Sequence, residues 1–273
     1  MQRIAVIGGT GMKQLVAESD FGNTNFVVFS TDSVVAETDY GDVPLEVIEI
    51  QNEDYYDEFY SGEGQKPDHF MIFIIHRHHG GGKTTPPHMI NYHANVKAAE
   101  SCNPDVIVSI QSVGAIDPCF PPGIVGMAEH TLDFVSTPVT FSEDDAHHAD
   151  MTHHYPKNLR DILRPILSEQ SNEELKLDHI VSHVNGPQFE TPAEIEAFSR
   201  LGATAASMTI SPEARLVAET GIPHVGLIAS SNWAAGKTPG DATAEIDHHS
   251  VEAKAADMRG IIWQCLTALL SQE

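Results

Sequence analysis

The sequence predicts an α/β domain in which helices flank a central β-sheet, and three observations carry that expectation. Short β-branched runs such as Ile4-Ala5-Val6-Ile7 and Met71-Ile72-Phe73-Ile74-Ile75 alternate with helix-length amphipathic segments. Polar and aromatic residues stand just beyond the strand-like runs, which is where open α/β sheets bind ligands. With 273 residues the chain can bury one sizeable core, and no repeat, low-complexity stretch or linker divides it, so a single domain over 1–273 is expected.

Arg3 to Gly9 reads as a buried strand running into the turn Gly8-Gly9-Thr10-Gly11. A dinucleotide fingerprint would need a third glycine where Gln14 stands, which argues against an NAD-dependent oxidoreductase. Two readings of the turn stay open: a phosphate cradle of backbone N–H groups and the Thr10 hydroxyl, or an ordinary strand-to-helix connection. Strand-like runs follow at Phe26–Phe29, Ser33–Glu37 and Pro44–Ile50. Gln51 to Asp68 is acidic, tyrosine-bearing and aperiodic, and reads as an exposed insertion.

His69 to His76 is a buried strand that delivers Arg77-His78-His79 and then a glycine run. Arginine offers a bidentate fork and histidine a further donor, so this cluster suits an oxyanion. A metal is the weaker reading, because adjacent histidines on a strand point to opposite faces and no HExxH spacing occurs; no metal is expected. Pro87 to Ser101 reads as a helix with proline at its start. Asp105 to Ile110 reads as a strand ending at Gln111-Ser112-Val113-Gly114. Pro121 to Phe134 forms a turn and strand, Asp144 to His154 a histidine-rich loop, and Leu159 to Leu167 an amphipathic helix. His179 to Val184 is a strand, and Ala244 to Leu270 a closing helix with apolar residues three and four apart.

Net charge is −24, from 39 acidic residues against 15 Lys and Arg. Such a surface repels nucleic acid and anionic membranes, so neither is an expected partner. Three cysteines without a CxxC pair indicate neither a disulfide framework nor a zinc site. No basic-then-apolar leader and no apolar run of membrane-spanning length is present, which makes a soluble cytoplasmic protein the expectation.

The stretch from Val184 to Lys237 concentrates the chemistry. It holds Gly186-Pro187-Gln188-Phe189-Glu190-Thr191, then Ser207-Met208-Thr209, then Ser231-Asn232-Trp233-Ala234-Ala235-Gly236. Phe189 offers a face to a planar ring, Glu190 a carboxylate, and Asn232 an amide that donates and accepts. Thr209 is followed by Ser211-Pro212-Glu213, a helix start with Ser211 as cap and Pro212 first in the helix, whose free N–H groups suit an anion.

These three words in this order resemble the purine nucleoside phosphorylase and methylthioadenosine phosphorylase family of trimeric type, and the likeness covers nearly the whole chain. The resemblance implies a nucleoside phosphorylase-like fold with a mixed sheet. It also implies purine nucleoside as substrate, inorganic phosphate as co-substrate, no metal or organic cofactor, and a homotrimer or dimer of trimers. By position it assigns phosphate binding to Thr10, Arg77, His78 or His79, Ser112 and Thr209. It assigns the nucleoside to Phe189, Glu190, Met208, Asn232, Trp233, Ala234, Val113 and Gly114, with His248 at the 5′ end and His148 lent by a neighbouring subunit. Asn232, Arg77 and Thr209 would carry the chemistry. Asn232 and Ala234 stand where adenine-using members carry Asp, so a 6-oxopurine base of the inosine or guanosine type is expected. His248 would favour a 5′-hydroxyl and Ile246 a methylthio group, which keeps S-methyl-5′-thioinosine and methylthioadenosine phosphorylase as alternatives. Gln111, in place of the usual Thr or Asn, and the insertion depart from the family pattern. A silent nucleoside-binding protein is the remaining alternative.

Overall fold

In a computed structural model, residues 1–9, 26–52, 69–80, 84–135, 139–171, 175–246, 254 and 258–270 are described. Nine strands, β1 (Arg3–Gly8), β2 (Phe26–Ala36), β3 (Val43–Asn52), β4 (His69–His76), β5 (Val106–Ala115), β6 (Val125–Asp133), β7 (Asp178–His183), β8 (Ala205–Ser207) and β9 (His224–Trp233), form one mixed sheet. Its order is β2-β3-β4-β1-β5-β8-β7-β6-β9. Because β5 also pairs in parallel with β9, the last five strands close on themselves into a small barrel. Five helices accompany it among the described residues: α1 (Tyr92–Ser101), α2 (Lys157–Ser168), α3 (Pro192–Arg200), α4 (Ile210–Thr220) and α5 (Arg259–Leu270).

Strand alternation explains why the sheet is covered on both faces. Ile4 and Val6 of β1 join Ile72, Ile74, Val106 and Val108 beneath α2 and α5. Ala5 and Ile7 join Phe73 and Ile75 beneath α1 and α4. Strands buried on both sides read as continuous apolar runs, which is how β1, β4 and β5 are legible. A third cluster, including Phe120, Val181, Ala205 and Ile228, fills the barrel.

Several boundaries differ from those expected. Pro87–Met89 forms a separate 3₁₀ turn; Ile90 is extended, and the Asn91 side chain then accepts from Ala94 N at 3.1 Å to start α1. Gln51 and Asn52 belong to β3 and not to the insertion, since they pair with β2 and β4. Residues 53–68 of the expected insertion lie outside the described residues. The strand read as ending at Ile110 runs on to Ala115, because Gln111 to Ala115 pair with β9. Of the expected closing helix, Ala244 to Ile246 is not helical, Lys254 and α5 (Arg259–Leu270) are, and residues 247–253 and 255–257 lie outside the described residues. The helix after Thr209 starts at Ile210 with Thr209 as cap, and Ser211 instead donates to Asp133 across to β6.

Buried histidines give the fold a pH dependence. Ser109, His224 and His154 form a chain in which His224 Nε2 lies 2.6 Å from Ser109 Oγ and His224 Nδ1 lies 2.7 Å from His154 Nε2. Burial holds His154 and His179 down to about 4 and pushes His224 well below the ordinary 6.5. These rings are neutral in the folded state, while the unfolded chain binds protons on them once pH falls below 6.5. Stability is therefore fully present above that value and is lost as pH falls toward 4, at about 1.4 kcal/mol per pH unit for each histidine. The melting temperature is expected to fall between about pH 7 and pH 5. A flat or rising curve over that interval would contradict the neutral assignment.

Candidate active site

A cavity of about 370 Å³ opens where β4, β5, β8 and β9 end. Its polar lining comes from several elements: Arg77 and His78 follow β4, Ser112 comes from β5, Ser207 ends β8 and Thr209 caps α4. The lining also includes Phe189, Glu190 and Asn232, with Val113, Gly114 and Ala206. Met208 lies on the wall, and Thr84 to Pro87 close it from the α1 side.

Local sequence explains these placements. After β7 the chain turns through a cis Gly186–Pro187 bond, with Gly186 at φ 64°. A side chain at Gly186 would collide with Met208 Sδ, so glycine is required for Met208 to pack there. The segment Phe189-Glu190 then presents itself before Thr191 and Glu194 form a reciprocal capping box that starts α3. Phe189 is 39% exposed, a large apolar face left uncovered at the mouth. Burial pushes the Glu190 carboxyl above the ordinary carboxylate range.

Arg77 is placed differently from the expected open fork. It is 1% exposed, and its guanidinium is engaged inside the protein. Nε and Nη2 each donate to Glu213 at 2.8 Å, Nη2 donates also to Ile7 O at 2.9 Å, and Nη1 donates to Ile110 O at 2.9 Å. Four of its five N–H groups are thereby committed. The bidentate face meets Glu213, itself 0% exposed, in place of a ligand. Gly9 lies directly against this group, where any Cβ would collide with Nη1.

The sequence left His78 and His79 as competitors. His78 lines the cavity, with Nδ1 donating to Thr85 O at 2.7 Å. His79 turns away to Asn95 Oδ1 at 2.7 Å and takes no part in the wall. Trp233 and Ala234 do not line the cavity either. Their role is support: Trp233 O accepts from Asn232 Nδ2 at 2.8 Å, and Ala234, 2% exposed, packs on Gly114. His148 is exposed in the segment before α2 and lies away from the cavity of its own chain. Thr10 and His248 fall outside the described residues.

Reading the sequence missed Glu213, Ser207 and the role of Gln111. Ser207 Oγ donates to Gln111 Oε1 at 2.9 Å, Thr209 Oγ1 donates to the same oxygen at 3.3 Å, and Gln111 Nε2 donates to Glu213 Oε1 at 3.3 Å. A signal was available: a buried arginine in so acidic a chain needs a buried carboxylate, and Glu213 sits one residue after a proline in the first turn of α4.

A family model described as the phosphorylase superfamily matches residues 3–267, which is nearly the whole chain. The chain belongs to the phosphorylase superfamily. Among its relatives in this superfamily is a 6-oxopurine nucleoside phosphorylase of Pyrococcus furiosus, 30% identical, with 86% of this chain and 81% of that protein covered. Another is a probable S-methyl-5′-thioinosine phosphorylase of Methanothermobacter thermautotrophicus, 32% identical over 71% of this chain and 68% of the relative. A methylthioadenosine phosphorylase from an antarctic soil metagenomic library shares the fold, with a TM-score of 0.75 at 22% identity, covering 99% of this chain and 87% of that one. This phosphorylase superfamily member is thus an enzyme of the purine nucleoside phosphorylase family, and the mixed sheet flanked by helices is the fold expected of it. No helix among the described residues is long and apolar enough to cross a membrane.

Proposed function

We propose that the enzyme cleaves the N-glycosidic bond of 6-oxopurine nucleosides with inorganic phosphate, giving free base and ribose 1-phosphate. The observation that carries this is the convergence of Phe189, Glu190 and Asn232 with Ser112, Thr209 and His78 on one cavity. The first group suits a purine and the second a tetrahedral oxyanion, so the ribose C1′ would lie between them.

In this reading a phosphate oxygen attacks C1′ from the face opposite the base. The C1′–O bond forms as the C1′–N9 bond breaks, and the pair of electrons leaves with the purine. Asn232 Nδ2 gives one N–H to Trp233 O, and its second N–H supports the negative charge that gathers on N7 and O6. Glu190 accepts from the N1–H of a 6-oxopurine. Adenine presents a lone pair at N1, which a carboxylate repels, and leaving such a polar group unpaired costs roughly 1–3 kcal/mol. Arg77, already paired with Glu213, acts as a fixed support of the oxyanion end and not as a two-pronged ligand. Positioning of the nucleophile near C1′ then falls to Ser112, His78, Thr209 and the start of α4.

The second reading, S-methyl-5′-thioinosine as substrate, is favoured by the names of two relatives that are each 32% identical. It keeps the same base and the same attack and differs only at the 5′ end. Relative kcat/KM for inosine, methylthioinosine, adenosine and methylthioadenosine tests both. The expected outcome is that the two hypoxanthine nucleosides exceed the two adenine nucleosides by about ten- to a hundred-fold. Preference for either adenine nucleoside would overturn the base assignment.

A further inference from the structure

Two tethers hold the first turn of α4. Glu213 meets Arg77 and Gln111 on the side of β4 and β5. Ser211, two positions earlier, points another way around the helix and meets Asp133 at the end of β6. Ser211 Oγ donates to Asp133 Oδ2, and Arg215 Nε donates to the same oxygen at 3.2 Å. Asp133 Oδ1 accepts from Val135 N at 2.8 Å. Ser211 is 0% exposed and the Asp133 side chain 9%, so this is not a solvated surface contact. Burial works against the charged form of Asp133, but hydrogen bonds from Ser211 and Val135 outweigh it and hold the carboxyl below the usual carboxylate range.

Nothing local fixes this turn. Thr209, the cap of α4, makes no side-chain capping bond. Met208 and Pro212 border a second cavity of about 170 Å³, lined also by Asp133 and His183, so packing leaves room on that side. Thr209 itself lines the main cavity, two residues before Ser211. We propose that Asp133 is a positioning residue of the active site, which through Ser211 holds the start of α4 so that Thr209 stays at the attacking phosphate. Asp133 does not line the main cavity and acts only through the helix. The residues assigned to the base lie on other elements: Phe189 and Glu190 precede α3, and Asn232 belongs to β9. Releasing the tether therefore displaces Thr209 and leaves the base contacts in place. The inference rests on the phosphorolysis reading above and adds to it the part of β6 that supports the nucleophile.

The test measures kcat and the phosphate KM in inosine cleavage, and the inosine dissociation constant by calorimetry without phosphate. In Asp133→Asn an amide N–H₂ replaces one of the two oxygens that these donors need. The kcat/KM for phosphate is expected to fall about ten- to a hundred-fold, the scale of a reacting group displaced by about 1 Å. The inosine dissociation constant is expected to stay within about threefold of the wild type, which a general loosening of the fold would not allow. Ser211→Ala cuts the same tether and keeps the charge, so it is expected to reproduce the loss, and the double variant to be no worse than the stronger single. It also carries the test should Asp133→Asn fail to fold. A phosphate kcat/KM within about threefold of the wild type in folded Ser211→Ala would overturn the proposal. So would equal weakening of inosine, or additive losses in the double variant. If the wild type does not cleave inosine, the phosphorolysis reading fails, and the rise in melting temperature with each compound decides instead. Loss of the phosphate-induced rise in both variants, with the inosine-induced rise kept, would support the positioning role; keeping both would refute it.

Discussion

Replacing Arg77 with methionine is expected to cost about 3–5 kcal/mol of stability, the largest single effect in this molecule. The variant leaves Glu213 of α4 buried and uncompensated, with only the long contact from Gln111 Nε2 at 3.3 Å among the described residues. Removing the carboxylate as well reverses most of that loss. In Arg77→Met/Glu213→Leu no ionised group remains inside, and apolar side chains of similar volume can be as stable as the pair they replace. Urea unfolding of the two singles and the double gives the coupling energy directly. A strong positive coupling is expected. Loss of less than about 1 kcal/mol in Arg77→Met would show that the arginine is not an internal ion-pair partner.

The second large effect is expected at Asn232. Its amide cannot turn over, because Trp233 O at 2.8 Å needs a donor and Ser231 Oγ at 3.0 Å supplies one to Oδ1. Asn232→Asp places an acceptor against the Trp233 carbonyl and against the charge that develops on the leaving purine. Inosine kcat/KM is expected to fall by about a hundred- to a thousand-fold, the usual effect of deleting one preorganised donor. Adenosine, whose exocyclic amine and protonated N7 seek an acceptor, loses much less. The adenosine-to-inosine ratio therefore rises about tenfold or more. Steady-state kinetics with both nucleosides checks this, and an unchanged ratio would refute the assignment of Asn232 to base recognition.

Much of this was readable along the chain, and where reading stopped is instructive. The strands β1, β4 and β5 announced themselves because sheets covered on both faces need uninterrupted apolar runs. Phe189, Glu190, Met208, Thr209 and Asn232 were legible because each stands beside a strand or helix end with chemistry that a core does not need. Reading failed where one polar residue answers another far away in sequence. Arg77 and Glu213 are 136 positions apart, so nothing local marks the guanidinium as already satisfied. The same holds for Gln111 with Thr209, 98 positions away. His78 and His79 were indistinguishable in sequence, since only the position of Asn95 on α1 decides which ring turns inward. The boundary of β5 was missed because Gln111-Ser112 is polar; pairing with β9, not side-chain burial, extends the strand.

The most direct test of the whole reading is to incubate inosine with the enzyme in the presence and in the absence of inorganic phosphate, following hypoxanthine and ribose 1-phosphate. Phosphorolysis in the cavity of Thr209 and Asn232 predicts equimolar hypoxanthine and ribose 1-phosphate, formed only when phosphate is supplied. Hypoxanthine released equally fast without phosphate, with free ribose as co-product, would contradict it.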